Sequence, residues 1–99
     1  MQNAVYYNCY KIKKGASVPD LLQAAENLWA GIAKHSKGYI SYKLLADGDT
    51  WADFTIFETI DDAKAFSKSG GPKELAEKFF SFLNLNACIT HFFTIEKSD

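Results

Sequence analysis

The chain has 99 residues, which fits one domain over 1–99, and its net charge of −1 is too weak a field to gather nucleic acid or an anionic membrane. All 11 basic residues are lysine, so no guanidinium fork exists to clamp phosphate or carboxylate, which weighs against every reaction class that needs a catalytic arginine. Hydrophobic residues make up 47% and aromatic residues 15%, more aromatic surface than a core of this size readily hides.

Residues 4–13 are rich in Val, Tyr and Ile and read as a strand. Lys14-Gly15-Ala16-Ser17 ends it, and Pro19 suits the first turn of a helix. Leu22, Ala25, Trp29 and Ile32 recur at helical spacing, with Leu21 and Leu28 beside them. Gly38 is placed to cap that helix at its C-terminus. A second strand covers 39–46, Asp47-Gly48-Asp49 signals a hairpin, and a third strand covers 50–58. Thr59 with Asp62 three residues later resembles a capping box for the second helix. Ser69-Gly70-Gly71-Pro72 breaks that helix. A helical half resumes, with Leu75, Phe79, Phe82 and Leu83 on one side. Asn84-Leu85-Asn86 closes it, and 87–96 form a fourth strand.

The order β-α-β-β-α-β predicts an α+β, ferredoxin-like fold: an antiparallel sheet in the order 4-1-3-2 with both helices on one face. Alternation puts Tyr6, Asn8, Tyr10 and Ile12 opposite Val5, Tyr7 and Cys9. It likewise separates Trp51, Asp53, Thr55 and Phe57 from Ala52, Phe54 and Ile56. Both faces carry large apolar groups, so the sheet is expected to be covered twice, by its own helices and by the sheet of a second copy in a homodimer. Cys9 and Cys88 lie in apolar runs and read as buried free thiols. No signal peptide, membrane run or zinc spacing is seen, and a cytoplasmic protein is expected. Lys37-Gly38-Tyr39-Ile40 lacks the residues of an RNA-recognition signature, and Gly70-Gly71 is followed by no Gly-Lys-Ser/Thr.

Three residues could carry chemistry. Asp53 is an acid in mid-strand, where a carboxylate needs partners; it is either a structural group or a general base. His91, in an apolar strand, is either a satisfied structural group or a proton-transfer group. Asn8 stands among Tyr6, Tyr7 and Tyr10 and could hydrogen-bond a carbonyl, a peroxide or a neighbour. His35, at a helix C-terminus, reads as structural. With strands 3 and 4 flanking strand 1, Asn8 is expected centrally between Asp53 and His91. Trp51, Tyr6, Tyr10 and Phe57 would wall an apolar pocket for a small apolar or aromatic molecule. A shift of one residue in strand 4 sends His91 to the other face.

Several stretches together resemble the antibiotic biosynthesis monooxygenase-like superfamily of dimeric α/β barrels. They are the strand leading to Lys14-Gly15, the Lys37-Gly38-Tyr39 entry to strand 2, Gly48 to Asp53, the run from Phe57 to Phe66, and His91. The resemblance implies a homodimer joined through its sheet faces, with a small cavity between sheet and helices. Characterised members include cofactor-free oxygenases of anthrones and quinols, and haem degraders. Haem degraders place an Asn where Asn8 stands, a Trp where Phe66 stands and a His near Ala76; without that His the iron has no protein ligand. Phe66 is therefore expected as a pocket wall, with no metal and no cofactor. The function implied is a cofactor-independent monooxygenase acting on a small aromatic or quinol-type substrate. The alternatives are a non-catalytic binding or sensor dimer, or an isomerase or lyase on the same fold.

Overall fold

The computed structural model describes residues 2–69 and 71–99. The expectations that touch Met1 and Gly70 lie outside them. The elements are β1 (Ala4–Ile12), α1 (Val18–Ala25), a π-helical segment (Glu26–Ala33), β2 (Tyr39–Asp47), β3 (Thr50–Phe57), α2 (Ile60–Ser69), α3 (Lys73–Phe80) and β4 (Leu83–Thr94). The four strands form one antiparallel sheet in the order β2-β3-β1-β4, which is the ferredoxin-like order expected.

Local chemistry sets the boundaries. The Ser17 side chain accepts from the Asp20 amide at 3.4 Å, with Pro19 in the first turn. Thr59 Oγ1 accepts from the Asp62 amide at 3.1 Å and starts α2. Gly38 adopts φ +81, and a Cβ there would collide with the Asp62 carboxyl, so the turn into β2 requires glycine. The β2–β3 hairpin closes on Gly48 and Asp49, between the paired Asp47 and Thr50.

Three expectations needed correcting. The helix after Pro19 is α-wound only to Ala25 and π-wound beyond it. Its buried side is Leu21, Ala24, Ala25, Leu28 and Trp29, whereas Leu22 is exposed. β4 starts at Leu83, so Asn84-Leu85-Asn86 is strand rather than loop. Cys9 is half-buried and Cys88 exposed, because Cys9 lies on the face without helices and Cys88 at the margin of the sheet.

The core lies between the helices and one sheet face, around Phe57, Phe66, Trp29, Phe79, Leu21 and Leu28. The opposite face carries Val5, Tyr7, Cys9, Phe54, Ile56, Ile89 and Phe93, and among the described residues no helix covers it; Ile89 is 54% and Phe93 50% exposed. Among the described residues, no helix is long and apolar enough to cross a membrane.

Candidate active site

The middle of the sheet brings three polar side chains together. Asn8 pairs with Asp53 of β3 on one side and with Thr90 of β4 on the other. Directly paired residues share a face, and this face lies under the helices. Thr90 Oγ1 donates to Asn8 Oδ1 at 2.7 Å, and Asn8 Nδ2 donates to Asp53 Oδ1 at 3.0 Å. The Tyr10 hydroxyl donates to Asp53 Oδ2 at 2.7 Å. The series fixes the Asn8 amide in one orientation and leaves it a second N–H for a ligand.

Asp53 is 1% exposed. Burial pushes its carboxyl up to about 6, while the bonds from Asn8 and Tyr10 favour the anion and restrain the rise. Burial and the adjacent Asp53 carboxylate push the Tyr10 phenol far up, so it remains a neutral donor. Asp53 is therefore a carboxylate that changes state close to neutrality, with both oxygens held.

A cavity of about 290 Å³ lies over this network. Asn8, Asp53 and Thr90 contribute polar groups, and Tyr6, Tyr10, Trp29 and Phe79 form aromatic walls. Phe80, Leu83, Leu85 and Cys88 complete the lining. Phe79 stands edge-on to both Tyr10 (5.9 Å, 85°) and Trp29 (5.8 Å, 88°), and Tyr6 stacks on Phe92 (5.1 Å, 10°). Such T-shaped and stacked pairs hold the walls in place. Partial desolvation at the cavity wall, with Asp53 and Cys9 nearby, raises the Cys88 thiol and disfavours its nucleophilic thiolate.

Of the expected site residues, Asn8, Asp53, Tyr6 and Tyr10 line the cavity. His91 does not. It pairs with Tyr7, one residue out of step with Asn8, so its ring lies on the opposite face 5.3 Å from Phe93. Thr90 occupies the position expected for it. Trp51 is held at the hairpin by a 3.2 Å bond from its Nε1 to the Gly48 carbonyl. Phe57 is buried at the far end of β3 and packs on Phe66 at 5.7 Å. Phe66 in turn supports Trp29 from behind, also at 5.7 Å. These three are core, not cavity wall.

Sequence reasoning missed Thr90, Trp29 and Phe79 as site residues. Trp29 stands on the π-helical segment, a winding often found at functional sites and one without a sequence signature. Trp29 Nε1, Tyr42 Oη and Thr55 Oγ1 are buried without a hydrogen-bond partner among the described residues. Tyr42 pairs with Thr55 across β2–β3 and stacks on Trp29 at 6.2 Å. Among the described residues, no group of three or more His, Cys, Asp or Glu side chains is placed to hold a metal ion.

No protein-family model matches the sequence, and no curated protein matches it. Solved structures do. A variant of SnoaB, a cofactor-independent oxygenase from Streptomyces nogalater, superposes with a TM-score of 0.80 at 11% identity, over 99% of this chain and 97% of that one. The fold is also that of a putative antibiotic biosynthesis monooxygenase from Nitrosomonas europaea, with a TM-score of 0.77 at 9% identity, over 96% of this chain and 91% of that one. A monooxygenase of Streptomyces coelicolor from the gene ActVA-Orf6, in complex with nanaomycin D, matches with a TM-score of 0.71 at 17% identity, over 99% of this chain and 91% of that one. Hydroxynitrile lyase from Passiflora edulis matches with a TM-score of 0.73 at 17% identity, over 99% and 97%. Proteins of this fold thus carry more than one chemistry, and the fold alone assigns none of them to this chain.

Proposed function

We propose that this single-domain chain is a cofactor-independent monooxygenase of small aromatic or quinol-type substrates, working as a homodimer joined through the open sheet faces. One observation carries the reading: a buried carboxylate, raised to about 6, lies beneath a cavity with aromatic walls. Asp53 accepts a proton from an activated C–H of the substrate, such as the methylene of an anthrone. The carbanion gives its electrons to dioxygen, and the proton returns to give a hydroperoxide. Loss of water from the hydroperoxide leaves a ketone, so one oxygen atom enters the product and the other leaves as water. The free N–H of Asn8 and the dry walls favour the negative charge that develops on the substrate oxygen. The open face, with Tyr7, Phe54, Ile56, Ile89 and Phe93, supports the dimer as apolar surface that a second sheet would cover.

The test is dioxygen uptake with a panel of anthrones and naphthoquinols, run beside Asp53→Asn. Uptake that depends on Asp53 supports the reading, and uptake no faster than the uncatalysed rate removes it. Saturable binding without product would then mark a non-catalytic binding or sensor dimer. The Passiflora edulis neighbour supports a second reading, a lyase, because removing a hydroxyl proton before a C–C bond breaks uses the same base.

A further inference from the structure

The cavity does not end at its own mouth. Phe80, Leu83 and Leu85 line it and also line an adjoining groove of about 770 Å³. Phe80 is 39% and Leu85 59% exposed, so the two spaces meet at an apolar lip. The charged groups of the groove are Lys13, Lys14 and Glu77. Glu77 is engaged by Lys73 at 3.7 Å, and Asp49, on the other side of the lysines, by Lys11 at 3.4 Å. Among the described residues, Lys13 and Lys14 make no ion pair. Their place is fixed by the backbone, because the Lys13 amide donates to the Phe82 carbonyl at 2.9 Å and ties the end of β1 to the turn between α3 and β4.

We infer that the substrate is an aromatic acid, its ring in the cavity and its anionic group beyond the Phe80–Leu85 lip, over Lys13 and Lys14. The inference rests on the reading of the cavity as a substrate site and adds the substrate's charge and direction of entry. A carboxylate driven into the cavity would meet Asp53 and be repelled; one left in the groove meets two ammonium groups and one carboxylate, Glu77, whose charge Lys73 offsets. Opposite charges at the two ends of the path therefore orient the molecule, reactive end inward. The lysines are exposed, so their effect is modest and falls with ionic strength.

Titration calorimetry with 6-hydroxy-2-naphthoate and its neutral carboxamide tests this, on the full chain and on the Lys13→Gln/Lys14→Gln double variant. At low ionic strength the acid is expected to bind roughly fivefold more tightly than the amide. The preference should vanish at high ionic strength and in the double variant, with amide binding unchanged. Equal binding of the two probes, or a preference that survives in the double variant, overturns the inference and leaves the oxygenase reading intact. The preference without any dioxygen uptake has the opposite meaning: the anion site stands and the oxygenase reading fails. Binding of neither probe also overturns the inference, and the oxygenase reading is then decided by dioxygen uptake alone.

Discussion

Asn8 and Asp53 face each other across the β1–β3 ladder and share a 3.0 Å hydrogen bond, with Thr90 holding the far side of the same amide at 2.7 Å. The amide is thus set from both strands, and its donor end is turned to the carboxylate. A buried anion needs such donors, and here it has two. The network holds a charge where the core would otherwise exclude it.

Replacing Asp53 by Asn is expected to lower turnover by about 10²–10⁴ in a dioxygen-uptake assay, the usual contribution of a positioned base. The same variant reports on stability. The carboxyl moves from 3.8 to about 6 on burial, so the folded chain holds the proton more tightly than the unfolded chain. Stability therefore falls as pH rises from about 4 to 6, and the ionised group costs about 3 kcal/mol above that range. Urea denaturation should show Asp53→Asn to be more stable than the parent at pH 8, with the gap closing toward pH 4.

Tyr10→Phe removes the shorter of the two bonds to Asp53. With one donor fewer the carboxyl rises further, so the pH at which turnover reaches half its maximum should move upward from about 6. A pH–rate profile measures it, and an unchanged midpoint would show that Asp53 is not the titrating base. Stability near neutrality should fall by about 1–2 kcal/mol.

His91→Ala is expected to leave turnover unchanged, because His91 points away from the cavity. Phe93→Asp, on the same face, is expected to convert the proposed dimer to a monomer in light scattering, since the new carboxylate would have to be buried between two sheets. A Phe93→Asp variant that stays dimeric at micromolar concentration would refute the sheet-to-sheet arrangement.

Thr55 is buried in the sheet with its hydroxyl unpartnered. Exchange for the isosteric Val removes a polar atom that gains nothing from its surroundings. A stability gain of about 1 kcal/mol is expected in denaturant unfolding.

The alternation of β1 and β3 was plain enough in sequence to place Asn8, Asp53, Tyr6 and Tyr10 on the helix side. The element order did the same for the sheet. The position of His91 was not legible, because a one-residue choice of register between β4 and β1 decides its face, and that register is fixed only by the folded pairing of Tyr7 with His91. Trp51, Phe57 and Phe66 have the right face and the wrong depth. Trp51 and Phe57 stand at the ends of β3, and Phe66 packs behind Trp29, distinctions that apolar pattern alone does not carry. Asn84-Leu85-Asn86 has the composition of a turn yet continues β4, since Asn84 pairs with Lys11.

The π-helical segment at Glu26–Ala33 gives the cavity wall an unusual dependence on chain length. A π turn holds more residues than an α turn, so the segment stores surplus chain between α1 and the turn at Gly38. Deleting one residue from it would let the backbone rewind toward α geometry and change where the segment's side chains stand relative to α1. Trp29 would then leave its place between Phe79 and Phe66 with no change in its own identity. Substitution scanning is blind to that kind of change, and a one-residue deletion would reveal it.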